Sequence, residues 1–146
     1  MNCKAMNISG KWNGEITYGK EYGKFAGNEV LFEMEIVQNN DHFHGVSKDT
    51  GGFGVNPDPA SIEGKITGDT ISFIKVYPTF HYINSMGEQK INPSRKGSEI
   101  RYTGKYDKAK EVISGNWEMS VWVLVIAIIP WRIKATGTWE MQLVNT

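Results

Sequence analysis

The chain has 146 residues, 40% of them hydrophobic and 22% charged, which fits a folded protein rather than a disordered one. The length suits one domain, expected over 1–146 with residues 1–7 as a flexible N-terminus. Sixteen Lys and Arg balance sixteen Asp and Glu, so no overall field draws a phosphate backbone, and nucleic acid is not an expected partner.

At the N-terminus, MNCKAMNISG lacks an apolar h-region, so a cytoplasmic protein is expected, with a trimmed lipoprotein or a secreted form left open. The single cysteine, Cys3, rules out an internal disulfide framework. Next, ISGKWNGEITY alternates strictly. Ile8, Gly10, Trp12, Gly14, Ile16 and Tyr18 share one face, and Ser9, Lys11, Asn13, Glu15 and Thr17 the other. This period of two predicts a strand with one face in a core and one in water. EVLFEMEIV repeats the pattern with Val30, Phe32, Met34 and Ile36 inward. DHFHGVSK, SIEGKIT and TISFIKVY read as three further strands, the last less cleanly alternating. The stretch from Asp49 to Pro59 is rich in Gly and Pro and reads as a loop. A second long connection, 82–97, is polar, with a short piece of strand expected around Phe80 to Ile83.

Alternation returns in EIRYTGKYD, VISGNWEMSV and WRIKATGTWEMQL, whose inward residues include Tyr102, Tyr106, Trp117, Met119, Trp139 and Met141. Asn39-Asn40-Asp41, Gly68-Asp69 and Asp107 to Lys110 supply hairpin turns. No amphipathic helix is evident. Several strands place an inward Gly two residues before a bulky side chain, as in ISGKW, ISGNW and ATGTW. An inward Gly lets strands coil closely, and a ring fills the space it leaves. The expected fold is therefore all-β: an antiparallel up-and-down barrel of about eight strands.

Gly10-Lys11-Trp12 on the first strand is similar to the Gly-x-Trp of lipocalins and avidins, and Gly137-Thr138-Trp139 and the meander spacing also fit. The chain thus resembles the calycin group of lipocalins, avidins and fatty-acid-binding proteins, which implies the barrel architecture. The residues after Trp12, NGEITYG, do not resemble the avidin biotin segment, so biotin binding is not carried over. The lipocalin disulfides and the helical lid of fatty-acid-binding proteins have no counterpart.

Chemical motifs are sparse. His42 and His44 share a strand face and with His81 form a three-His metal candidate. If Phe43 and Gly45 face the core, however, both point to solvent, and no metal site or cofactor is expected. Asp49-Thr50-Gly51 matches the aspartic-protease triplet, whose chemistry needs two paired carboxylates, and here it follows Ser47-Lys48 and reads as turn residues. Glu33 and Glu35 fall on the solvent face. Enzymatic activity has no residue to attach to, and a non-enzymatic protein is expected.

What the inward face offers is a lining for a small apolar or amphipathic ligand: Trp12, Tyr18, Phe32, Met34, Tyr102, Tyr106, Trp117, Met119, Trp139 and Met141. The same rings could instead fill a small barrel completely, and both readings stay open. The other expectation concerns Val121 to Trp131, VWVLVIAIIPW. It is too short to span a membrane, which takes about 20 residues, and it links the last two strands. Apolar on both faces, it is expected to be covered by a homo-oligomer or partner contact through Val123, Leu124, Ile126, Ile128 and Ile129, or to form an apolar rim at the barrel mouth.

Overall fold

The computed structural model describes residues 6–53, 55–83, 86, 89–92, 97, 99–125 and 129–144; for 80–83, 89, 91–92, 121–125 and 129–133 the backbone course alone is described. The elements are β1 (Gly10–Tyr18), a 3-10 segment (Lys20–Phe25), β2 (Glu29–Asn39), β3 (His42–Gly52), β4 (Ala60–Thr67), β5 (Thr70–Val76), β6 (Phe80–Ile83), β7 (Gln89–Asn92), β8 (Glu99–Asp107), β9 (Val112–Val125) and β10 (Ile129–Leu143). Eight strands close into an antiparallel barrel in the order β1-β10-β9-β8-β5-β4-β3-β2. Apart from the closing pair β1–β10, every barrel neighbour is also a chain neighbour once the separate β6–β7 hairpin, set between β5 and β8, is passed over. The barrel closes where β1 meets β10, from Trp12↔Leu143 to Tyr18↔Gly137.

Alternation dictates the wall. In β2, Val30, Phe32, Met34 and Ile36 are buried while their neighbours Leu31, Glu33, Glu35 and Val37 are exposed. Each large side chain taken from water contributes about 1.5–3 kcal/mol, so a one-residue slip would forfeit the core. The tight turns fall where the sequence places them, with Asn40 and Gly68 at φ of 59° and 63°. The inward glycines serve the rings. A Cβ on Gly137 would sit 2.5 Å from the Trp117 indole, and one on Gly104 2.6 Å from Trp139.

The two ends of the barrel differ. At one end the turns are short and the chain entering β1 forms a plug. Ile8 is buried, the Trp12 indole Nε1 donates to the Ile8 carbonyl at 2.9 Å, and the Ile8 N–H donates to Gln38 at 2.7 Å. Trp12 meets Tyr106 edge-on at 6.4 Å. At the other end lie the long connections: the 3-10 segment, the 53–59 loop and the β6–β7 hairpin.

Two expectations are corrected. Asp49-Thr50-Gly51 is not loop: β3 continues to Gly52, and Asp49 is buried inside the barrel. Asp49 continues the inward alternation of Phe43, Gly45 and Ser47, and only beyond it does a β-bulge interrupt the register, since Phe32 pairs with Asp49 and Leu31 with Gly51, which leaves Thr50 unpaired between them. Nor is the apolar run merely a link. It is strand on both sides, with Val125 paired to Ile129 and Val121 to Ile133. β8 is in register with β9 only as far as Ile100↔Met119, and β1 with β10 as far as Tyr18↔Gly137. Among the described residues, β9 and β10 therefore run on past the barrel wall as a two-stranded ribbon. Ile126 and Ile128 lie outside the described residues, as do the side chains of Val123, Leu124 and Ile129.

Candidate functional site

All ten inward residues expected from the sequence face the barrel interior. Trp12, Tyr18, Phe32, Met34, Tyr102, Trp117, Trp139 and Met141 are buried, and Tyr106 and Met119 are half-buried against them. They are not gathered at one place. Trp12, Met34, Tyr106 and Met141 belong to the plugged end. Across the waist the rings pack on one another: Phe73 stacks on Tyr102 at 4.5 Å and meets Trp139 edge-on at 5.5 Å. Tyr18, Trp117 and Met119 belong to the loop end.

The loop end also holds charge. Lys75, on β5, is 1% exposed and Asp49 8%, and the ammonium lies 3.8 Å from Asp49 Oδ1. The carboxylate is held by other groups. The Tyr77 hydroxyl donates to it (2.9 Å to Oδ1, 3.1 Å to Oδ2), and the Asn56 N–H donates to Oδ2 at 2.9 Å. Lys75 Nζ sits among rings, 4.8 Å from the centre of Tyr77, 5.7 Å from Phe32 and 5.8 Å from Tyr102. Burial pushes the Lys75 pKa down and Asp49 partly offsets this. Burial likewise raises the Tyr77 and Tyr102 hydroxyls well above the usual phenol range, with the Asp49 charge adding to the effect.

Four buried polar atoms have no hydrogen-bond partner among the described residues: Ser47 Oγ, Asn56 Nδ2 and Tyr102 OH near this pair, and Trp117 Nε1, which lies against Gly137. Ser47 lies two residues before Asp49 on the same face, Asn56 already donates its backbone N–H to Asp49, and Tyr102 is in register with Trp117. All four can donate a hydrogen bond. Orphaned buried donors are rare in folded proteins, and each calls for a reason.

Aromatic side chains cover the mouth. The 3-10 segment brings Tyr22 to 4.5 Å from Tyr18 and 6.2 Å from Trp117, and stacks Phe25 on Phe53 at 5.2 Å. The Tyr18 hydroxyl donates to the Phe53 carbonyl at 3.1 Å, which ties the 53–59 loop to the wall. Burial raises the Tyr22 hydroxyl to about 12.

Sequence reasoning missed Lys75, Tyr77, Ser47 and Asn56 and placed Asp49 in a loop. A signal was present. In TISFIKV the inward register reads Ile71, Phe73, Lys75 while Ile74 and Val76 face outward, so a charge occupies the core parity exactly where alternation weakens. Tyr22 and Phe25 were missed because a 3-10 turn has too few residues to show a period.

The other candidates separate from this site. His42 and His44 are exposed on the outside of β3, and His42 Nδ1 lies 2.7 Å from Asp41; the side chain of His81 is outside the described residues. No group of three metal-ligating side chains occurs among the described residues. A groove of about 590 Å3 crosses the outer wall of β8 to β10, between Arg101, Thr103, Asn116, Thr136 and Thr138. It shares Trp117 with the interior site, but its other side chains point outward. No helix among the described residues is long and apolar enough to cross a membrane. Comparison with known protein families and with curated proteins finds no match to this chain.

Proposed function

We propose that the chain is a calycin-like, non-enzymatic barrel that binds a small amphipathic ligand through its loop end. In this reading the ligand's apolar body lies against Tyr18, Phe32, Trp117 and Met119, and its polar head meets Lys75, Tyr102 and the neighbouring donors. Trp12, Met34, Tyr106, Trp139 and Met141 form the supporting core. The observation that carries it is the Lys75–Asp49 pair with orphaned donors around it, in a barrel whose other end is filled by apolar packing. A buried ion pair is commonly no more stable than apolar side chains of the same volume, so stability does not account for it.

The head group is defined by what is missing. The free groups are donors, so the ligand supplies acceptors. Asp49 stands beside Lys75, so an anionic head meets repulsion as well as attraction, each of order 4 kcal/mol for unit charges 4 Å apart near a protein surface. A neutral oxygen acceptor, hydroxyl or carbonyl, avoids that conflict. The test is titration of tryptophan fluorescence with 1-decanol and with decanoate at pH 8. 1-Decanol is expected to bind at least about tenfold more tightly than decanoate, a difference of about 1.4 kcal/mol. Equal or tighter binding of decanoate, or no binding of either, would sink the proposal.

A second reading has its own observation, the β9–β10 ribbon that runs on beyond the barrel register with an apolar sequence on both faces. A two-stranded ribbon is marginal in water by itself, which supports assembly of this segment with a second copy or a partner. Sedimentation distinguishes the readings. A self-association that Leu124→Glu and Ile128→Glu abolish supports assembly, and a monomer at all concentrations tells against a homo-oligomer.

A further inference from the structure

Lys75 is the one described lysine enclosed by the barrel, whereas Lys11, Lys48 and Lys134 stand exposed on its surface. Its ammonium is 3.8 Å from Asp49 Oδ1, beyond hydrogen-bonding range, while three hydrogen bonds from Tyr77 and Asn56 orient that carboxylate independently of it. The amine is thus next to a fixed anion without being tied to it. Three rings stand 4.8 to 5.8 Å from Nζ; their faces attract a cation, while burial keeps water from it and on balance favours the neutral amine.

We infer that Lys75 captures the carbonyl carbon of an aldehyde ligand as a Schiff base, with Asp49 as the counterion of the iminium. This rests on the ligand-binding reading above and assigns its head group. The neutral amine attacks the carbonyl carbon, and the C=O π pair moves to oxygen, which takes up the proton released from nitrogen to give a carbinolamine. Protonation of the hydroxyl and loss of water form the C=N bond. In sum, R–CHO and the Lys75 ammonium give the protonated imine and one water, with no oxidant or reductant. One cation faces one anion before and after, so the electrostatics of the buried pair are conserved, as they are not when a carboxylate enters. Burial lowers the amine's pKa and raises the fraction present as the nucleophilic free base.

The experiment uses the full chain with decanal and sodium cyanoborohydride at pH 7.5, and peptide mapping of the reduced adduct, beside a fluorescence titration with 1-decanol, which binds without reacting. Lys75, with its amine favoured in the free-base form by burial, is expected to be alkylated faster than the exposed Lys11 or Lys134, and excess 1-decanol is expected to suppress that labelling selectively. If 1-decanol binds while Lys75 is labelled no faster than the exposed lysines, the covalent step is overturned and the binding reading survives. If neither compound binds, both fall.

Discussion

The two ends of the barrel are built from the same eight strands and are finished in opposite ways. At the plugged end Trp12 gives its indole N–H to Ile8, Ile8 gives its N–H to Gln38, and apolar side chains close over them. At the loop end Asp49 and Lys75 face inward and Tyr77, just past β5, bonds the carboxylate, while the side-chain donors of Ser47, Asn56 and Tyr102 nearby have no partner among the described residues. One end holds the fold together. The other departs from the most stable filling, which is where a ligand site is expected in a protein that is otherwise locally consistent.

The largest effect that would test this contrast is at the plug. Trp12→Ala is expected to cost about 3–5 kcal/mol, read from urea unfolding; a loss below about 1 kcal/mol would mean that the plug does not anchor the fold. Lys75→Met comes next. It leaves the Asp49 carboxylate buried without its cation and is expected to cost about 3–5 kcal/mol. Adding Asp49→Asn should return the protein to within about 1 kcal/mol of the original or above it, because the amide oxygen still accepts from Tyr77 and Asn56. Failure of the second substitution to restore stability would show that the pair is structural.

A smaller effect is expected with pH. The hydroxyls of Tyr18, Tyr22, Tyr77 and Tyr102 are all raised by burial in the folded chain, Tyr22 to about 12. Between the ordinary phenol value of 10.0 and those raised values the folded state binds more protons than the unfolded one, so their stabilisation is complete below pH 10 and is lost as pH rises through the folded values. Lys75 acts in the opposite sense. Its pKa is lowered, so between its folded value and 10.5 the unfolded chain binds more protons and stability rises with pH. Denaturation midpoints from pH 7 to 12 should therefore rise and then fall, and Lys75→Met should remove the rise alone. The smallest effect is on the outer wall: Lys11→Ala breaks a 3.5 Å pair with Glu35 in which both side chains are 69% exposed, and should change stability by less than about 0.5 kcal/mol.

Much of the barrel was legible because a half-buried strand writes its two faces into alternate residues. Val30 to Ile36, Trp12 to Tyr18 and Ile113 to Met119 each fix a face without reference to any other segment. The same rule hid the loop-end site. Ser47, Asp49 and Lys75 are polar residues in inward positions, so a reading by alternation assigns them to loop or to a poor strand. The apolar run 121–131 stood out in composition, yet its continuation past the wall depends on where β1 and β8 stop, which no residue in the run records.

The sequence by itself determined the class of fold, the hairpin turns and most of the inward face, because propensity and period are local properties of the chain. Only the tertiary structure decided that β1 closes on β10, that β3 runs on far enough to hold Asp49 inside, and that Lys75 reaches it from a strand 26 residues further on. Those are meetings of distant segments, set by register and closure: the inward parity of Lys75 shows in its own strand, but its partner does not.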